Sequence, residues 1–240
     1  MDLSRVSIGL TGATPHDVLE ALAPQIEAAG FRGLWLNDTP NGDSLAGLAA
    51  VARVTSALHL GTGVIPLDRR PAPGILAELD GLPPERLTLG VGIGGAPHGL
   101  ALTERSVAEL RAGTTADIAV GALGPKMRAL AARVADAVVL NWLTPEAAAE
   151  QRSTVRTVLY ARTALTVDAL PALRDEAARY GSYPSYAANF ERIEADPLDT
   201  TITSAEGIPP YLDAVDELVL RVITRDSTLP EYERFLSALA

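Results

Sequence analysis

Eight short apolar runs, separated by longer segments of helical periodicity, constrain the fold of this chain more than any other feature. The runs are rich in Val, Leu and Ile, and they cover residues 6–10, 33–38, 59–65, 86–93, 117–123, 137–143, 157–165 and 217–223. Strands that are apolar on both faces belong to a covered sheet, and strands that alternate with helices pair in parallel. Eight such units in 240 residues predict an α/β fold, a (β/α)8 TIM barrel that forms a single domain over residues 1–240.

Helix-boundary residues support this alternation. In the Thr-Pro pair at residues 14–15, the threonine is predicted to cap a helix and the proline to be its first residue. This helix is predicted to end at Gly30. A second Thr-Pro pair at residues 144–145 repeats the pattern after the sixth run. Residues 168–195 predict one or two helices, interrupted by the turn-rich segment 181–186.

Composition excludes several classes of partner. The formal net charge of −10 and the isoelectric point near 4.8 argue against nucleic acid and against anionic membranes, because both need a basic protein surface. An anionic ligand must therefore be bound locally. The absence of cysteine excludes disulfides, thiolate metal sites and cysteine nucleophiles. No stretch approaches the roughly 20 apolar residues of a membrane span, so we expect a cytoplasmic protein.

The few candidate catalytic side chains are scattered. His16, His59 and His98 are too far apart in sequence for a ligand set, and no acidic cluster has metal spacing, so we expect no metal site. We expect His59, at the start of the third run, to be structural. His98, in the loop after the fourth run, is a candidate catalytic residue. Asp38 is a second candidate that can accept a proton or bond a cofactor, or else cap its loop. Trp142 can line the pocket or pack in the core.

The carboxyl ends of the third, fourth and fifth runs are rich in glycine. They read LGTGVIP, LGVGIGGAP and VGALGP. The active site of a TIM barrel lies at the carboxyl ends of its strands. Glycine there lets a ligand approach the backbone, and the following helix amino terminus favours an anion.

One motif in this region also resembles a dinucleotide-binding fingerprint. Gly90, Gly92 and Gly95 satisfy G-x-G-x-x-G, and Glu109 follows at a suitable distance. The motif lies on the fourth run rather than the first, however, and Pro97 stands where a helix should begin. A Rossmann fold is therefore the less favoured interpretation.

Several motifs in order resemble the bacterial luciferase-like monooxygenase superfamily. They are RVTSALHLGTGV at 53–64, RRPAPGILAELDGL at 69–82, ERLTLGVGIG at 85–94 and ALGPKMRALAARVADAVVLNWLTPE at 122–146. Within that superfamily the chain looks most like the deazaflavin (coenzyme F420)-dependent oxidoreductases of actinobacteria, in a shortened form. The order and spacing agree over residues 26–224.

This resemblance implies a barrel with a flavin or deazaflavin in its mouth. The ring would lie near the third and fourth strand ends and the phosphate near the fifth and sixth. The implied cofactor-binding residues are Gly63, Val64, Gly92, Gly94, Gly95, Gly121, Ala122, Gly124, Pro125, Lys126, Asn141 and Leu143. It also implies a non-prolyl cis peptide bond, which we predict at Gly63–Val64.

Lys126 is the only lysine among 20 basic residues. On this mapping it lies in the first turn of a helix that faces the phosphate. Its ammonium group then either contacts the phosphate directly, or lies at the rim of the site while backbone amides bind the phosphate. We favour the second arrangement.

The chain also departs from the family. The sugar-phosphate dehydrogenase branch has Asp-His after the second strand and a glutamate after Gly-x-Gly, where this chain has Asp38–Thr39 and Gly94–Gly95. Glucose-6-phosphate dehydrogenase activity is therefore not expected. Only AGTTA at 112–116 remains where the family inserts a hairpin. The site is then open, or a partner subunit closes it, and we expect a homodimer.

These observations predict an oxidoreductase that moves a hydride between coenzyme F420 and a small organic substrate. Two alternatives stay open at this point. One is an FMN-dependent luciferase-like monooxygenase, and the other is a non-catalytic barrel that binds a flavin or serves as a partner subunit. The retained glycine-rich loops favour cofactor binding in each case, whereas the missing acid-base groups weaken the case for catalysis.

Overall fold

The structure, a computed structural model, describes residues 2–239 and contains a closed parallel barrel of eight strands. The strands are β1 Val6–Thr11, β2 Gly33–Asn37, β3 in two segments His59–Thr62 and Ile65–Pro66, β4 Leu87–Gly92, β5 Asp117–Gly121, β6 Ala137–Asn141, β7 Arg156–Thr163 and β8 Glu217–Val222. Each strand pairs in parallel with its neighbours in chain order, and β8 pairs with β1 to close the ring. The predicted TIM barrel is confirmed.

Helices connect the strands around the outside of the barrel. They are α1 His16–Ala28, α2 Ser44–Val54, α3 Ala72–Leu76, α4 Gly99–Gly113, α5 Pro125–Val134, α6 Pro145–Glu150, α7 Leu170–Gly181, α8 Pro184–Arg192, α9 Pro209–Ala214 and α10 Leu229–Ser237. Between residues 2 and 239, none of the helices has the length and apolar character that a membrane span requires.

The helix boundaries follow the predicted capping residues with one exception. The Thr144 hydroxyl accepts a hydrogen bond from the Ala147 amide, and Pro145 is the first residue of α6. At the first pair, by contrast, Pro15 still has an extended ψ of 143°, so α1 begins one residue later than predicted. Gly30 ends this segment with a φ of +82°, a conformation that glycine adopts without a steric penalty.

The amino-terminal end of the barrel is filled by a buried polar network. The Glu217 carboxylate is fully buried and accepts hydrogen bonds from Ser7, Trp35, Arg32 and Arg156. His59 lies in the same layer, as expected for a structural residue, and its Nε2 contacts the Thr88 hydroxyl at 2.8 Å. Burial lowers the pKa of His59 to about 4. This end therefore closes the barrel, and ligands must enter from the other side.

The predicted interrupted helix over residues 168–195 is confirmed as α7 and α8. These two helices follow β7 and pack against each other beside the carboxyl ends of β6 and β7, through Trp142, Ala177 and Phe190. The connection between α4 and β5 is only residues 114–116. The wall over the barrel mouth is therefore built by α7 and α8, after β7.

Candidate active site

A cavity of about 770 Å³ opens at the carboxyl ends of the strands. Each of the eight strands contributes one of these lining residues: Thr11, Asn37, Gly63, Gly92, Gly121, Asn141, Arg162 and Arg221. Helices α7 and α8 add Glu176, Arg179, Tyr180 and Tyr186. The lining divides into a glycine-rich half, at β3 to β5, and a polar half.

The first half is a floor of glycines around Val64. A Cβ atom added to Gly92 would lie 2.7 Å from the Val64 side chain, and one added to Gly121 would lie 3.2 Å from it. A Cβ atom on Gly63 would lie 1.9 Å from the Tyr160 hydroxyl. Side chains are therefore excluded from this floor by packing. The peptide bond Gly63–Val64 is cis, which confirms the prediction for that bond.

The loop before α5 leaves backbone amides available. Gly124 precedes the helix, no side chain caps it, and a Cβ atom there would meet nothing within 4 Å. Pro125 has no N–H group, so the first amides of the helix that lack an intrahelical partner are those of Lys126 and Met127. The Lys126 side chain is exposed and does not line the cavity, and its position at the rim of a phosphate site stays a prediction.

Two arginines converge on the same loop. Arg128 and Arg192 both donate to the carbonyl oxygen of Leu123, at 2.9 and 3.0 Å. Burial and the neighbouring charge of Arg192 lower the pKa of Arg128. Two cations this close repel each other, so a bound anion would stabilise the arrangement. This loop therefore carries two guanidinium groups beside amides that lack an intrahelical partner.

The polar half of the cavity is organised around Glu176. Burial alone would raise the pKa of Glu176, but the charges of Arg162 and Arg221 and a 3.0 Å hydrogen bond from Arg162 outweigh it, so the pKa is lowered. Glu176 is consequently a carboxylate at neutral pH. Burial raises the pKa of Tyr186, which remains a neutral hydroxyl in the same wall.

Comparison with known proteins identifies the amino-terminal part of the chain. Residues 1–114 match the family model described as luciferase-like monooxygenase. The superfamily resemblance seen in the sequence is thereby confirmed for this part of the chain. A search of curated proteins gives no significant match.

Solved structures resemble the barrel over nearly its whole length. An F420-dependent secondary alcohol dehydrogenase, solved with an F420-acetone adduct, has a TM-score of 0.71 and 14% identity, covering 98% of this chain and 99% of that chain. The coenzyme F420-dependent tetrahydromethanopterin reductase from Methanopyrus kandleri has a TM-score of 0.68 and 15% identity, covering 94% and 96%. The oxygenating constituent of 3,6-diketocamphane monooxygenase from Pseudomonas putida, in complex with FMN, has a TM-score of 0.63 and 12% identity, covering 97% and 96%. At these identities the similarity concerns the fold.

The barrel brings nine of the fourteen predicted site residues to one cavity. These nine are Asp38, Gly63, Val64, Gly92, Gly94, Gly121, Ala122, Gly124 and Asn141. The other five, His98, Gly95, Pro125, Lys126 and Leu143, do not line it. Contact of the nine with a cofactor remains a prediction.

The local surroundings of the other five residues account for their positions outside the cavity lining. His98 is exposed and precedes α4 with a φ of 56°, so it does not line the cavity as a catalytic residue would. The Gly95 amide donates to the Asp68 carboxylate at 2.8 Å. Leu143 is only 2% exposed and belongs to the core. Pro125 and Lys126 are exposed on the outer side of the α5 amino terminus.

Asp38 remains beside the cavity but already caps a loop. Its Oδ1 accepts hydrogen bonds from the Ser44 amide at 3.0 Å and the Ser44 hydroxyl at 2.8 Å. Arg69 also donates to the Asp38 carbonyl oxygen. The capping alternative is therefore present in the structure, and the predicted catalytic role would have to use the other carboxylate oxygen.

Trp142 packs behind the cavity wall instead of lining the cavity. Its φ is 54°, its side chain is buried, and its ring centroid lies 4.9 Å from that of Tyr180. Asn189 on α8 donates to the Trp142 carbonyl oxygen at 3.0 Å. The packing alternative is thus the correct one, and Trp142 supports Arg162 from below.

The sequence interpretation missed the arginines of the polar half. Arg162 follows Val158 and Tyr160 at a period of two, which places all three on the inner face of β7. The same period on β8 places Arg221 inside the barrel. A charged residue at the inward position of a strand end was therefore an available signal. The contribution of α8 had no such signal in the sequence.

Proposed function

We propose that this protein is an oxidoreductase that binds coenzyme F420 in the cavity and exchanges a hydride between that deazaflavin and a small organic substrate. The observation that carries the proposal is the combination, on one side of the cavity, of a glycine floor and a helix amino terminus with free amides. A flat ring can lie on the glycine floor, and a phosphate can bind to the free amides at the helix amino terminus.

The residues present fit such a cofactor. In the floor of Gly63, Gly92 and Gly121, Val64 packs against two of the glycines and would lie beneath a ring. The adjoining loop ends at Gly124, where the amides of α5 and the guanidinium of Arg192 would bind the phosphate. The glycine floor and the Gly124 loop belong to neighbouring strands, β3 to β5. One ligand can therefore contact both.

When bound, the deazaflavin supplies a carbon centre that accepts or donates a hydride. The chain supplies position and electrostatics. Val64 would support the ring from one face, while Tyr180 and Tyr186 in the wall of α7 and α8 exclude water from the polar half. Of the two carboxylates that line the cavity, Asp38 follows β2, next to the glycine-rich strand β3, and we assign proton exchange with the substrate to Asp38 and Tyr186.

Fluorescence titration of the purified protein with coenzyme F420 and with FMN tests the proposal. We expect F420 to bind more tightly than FMN. Binding of FMN without F420 would instead support the FMN-dependent monooxygenase. If neither cofactor binds, the proposed function is wrong.

Three variants test the phosphate site. Gly124→Asp places a carboxylate beside the anion and should weaken F420 binding by more than about tenfold. Gly124→Ala is the matched control, because its Cβ atom meets nothing within 4 Å. Lys126→Ala should weaken binding by about fivefold or less, as expected for a solvated charge. A larger loss for Lys126→Ala than for Gly124→Asp would reverse these roles.

A further inference from the structure

Two arginines stand side by side in the cavity, across the barrel from the glycine floor. Arg162 on β7 and Arg221 on β8 are partners in the strand register, and both line the cavity. In the ring of eight strands β7 and β8 lie four positions from β3 and β4. The pair therefore faces the part of the cavity that the glycine floor and the phosphate loop do not use.

Arg162 is held in one orientation by its surroundings. Its Nε donates to Glu176 at 3.0 Å, and its Nη1 donates to the Asn141 side chain. The guanidinium carbon lies 4.3 Å from the ring centroid of Trp142 and 4.7 Å from that of Tyr180. With 6% of its surface exposed, this residue is a fixed part of the wall. Its stacking on two rings presents a flat cation to the cavity.

Arg221 is held much less firmly. Its one described hydrogen bond runs from Nη1 to the carbonyl oxygen of Val222. Among residues 2–239, no carboxylate lies within ion-pair distance of its guanidinium. Most of its N–H donors are thus free for a ligand. A half-buried guanidinium without a counter-ion is costly, and a bound anion would offset that cost.

The charge balance of this half is positive. Glu176 lies 3.0 Å from Arg162 and 3.7 Å from Arg179, and its pKa is also lowered by Arg221. One carboxylate therefore faces three guanidinium groups. The phosphate of a cofactor would be bound at the Leu123–Gly124 loop, which has its own pair of arginines. The excess charge at β7 and β8 is left for a second anion.

We propose that Arg221, with Arg162 beside it, binds an acidic group of the substrate, so that the substrate is a small organic acid. The proposal rests on the proposed function only in calling this ligand the substrate. A carboxylate or sulfonate offers the oxygen pair that a guanidinium fork binds with two parallel hydrogen bonds. The acid group would anchor the molecule at β7 and β8 and direct its remaining atoms toward the glycine floor.

The test is isothermal titration calorimetry of the whole chain with acids and their neutral analogues. The pairs are acetate and acetamide, benzoate and benzamide, and methanesulfonate and methanesulfonamide. At least one acid should bind saturably and about tenfold or more tightly than its amide. If no acid binds saturably, or if the amides bind equally well, the proposal is wrong.

Arginine variants locate the binding. Arg221→Gln should weaken acid binding by about tenfold or more, and Arg221→Lys should restore only part of it, because a lysine keeps the charge without the fork. Arg225→Gln is the matched control. It removes the same charge from an arginine whose side chain is 63% exposed and paired with Asp226. Equal acid binding by Arg221→Gln and the unaltered protein would refute the proposal, and so would loss of acid binding in Arg192→Gln alone.

The same variants separate this proposal from the proposed function. Arg221→Gln should keep its affinity for coenzyme F420 within about threefold, because the cofactor loop lies across the cavity. If acids bind through Arg221 and F420 does not bind at all, the proposed function fails while the acid site stands. If F420 binds but acid affinity does not depend on Arg221, the acid site is wrong while the proposed function stands.

Discussion

The buried carboxylate at the closed end of the barrel should control the stability of the fold. Glu217 accepts hydrogen bonds from Ser7 and Trp35 at 2.7 Å on one oxygen, and from Arg32 at 2.9 Å and Arg156 at 2.8 Å on the other. In Glu217→Gln the amide oxygen can keep two of these donors. The amide nitrogen would then face the other two.

The expected loss follows from what the substitution leaves unpaired. Removing one partner of a buried ion pair costs about 3–5 kcal/mol. The Arg32 side chain is 36% exposed and that of Arg156 is 19% exposed, so water can solvate them in part. We therefore expect a decrease in the free energy of unfolding of about 3 kcal/mol, the lower end of that range. For a chain of this length, such a loss lowers Tm by roughly 6–12 °C.

Urea unfolding followed by far-ultraviolet circular dichroism measures this loss. Glu104→Gln is the matched control. It removes a carboxylate that lies 2.7 Å from Arg133 on the surface, where the two side chains are 55% and 62% exposed. That surface pair should contribute less than about 1 kcal/mol. Equal losses in the two variants would refute the view that the buried carboxylate organises this end of the barrel.

Two further perturbations address the barrel interior. Because burial lowers the pKa of His59 to about 4 from its usual 6.5, the unfolded chain binds the proton first as pH falls. The free energy of unfolding should therefore decrease between pH 6.5 and pH 4, by up to about 3 kcal/mol, and His59→Gln should flatten this part of the pH profile in urea titrations. Gly61→Ala should destabilise by about 1–3 kcal/mol, since its Cβ atom would lie 2.2 Å from the Trp35 ring. Gly74→Ala, whose Cβ atom would lie 3.8 Å from Arg70, should be neutral or stabilising in thermal unfolding.

The sequence predicted those features that depend on local pattern. Apolar runs and capping residues report the backbone directly, so the eight strands and the α7–α8 break were recovered. The glycine-rich strand ends at residues 63, 92 and 121 were also predicted from local pattern. Packing excludes side chains at these positions, so the sequence has glycine there.

The errors arose where a single backbone angle redirects the chain. The sixth run was taken to continue to residue 143, which would have placed Asn141 and Leu143 on the same face of a strand. The strand instead ends at Asn141, and Trp142 adopts a φ of 54°. Leu143 is thereby turned into the core. A left-handed tryptophan is rare, and nothing in the sequence indicated it.

The arrangement of charge reconciles the proposed anion binding with so acidic a chain. The cavity lining contains four arginines, at 162, 179, 192 and 221, but only the carboxylates of Asp38 and Glu176, whereas the whole chain has a formal charge of −10. A negative exterior repels polyanions, while a cleft with one sign of charge concentrates small ions of the opposite sign. We therefore expect small anions that fit about 770 Å³ to reach these arginines. Acid binding at Arg221 should accordingly weaken as ionic strength rises, because salt screens the attraction.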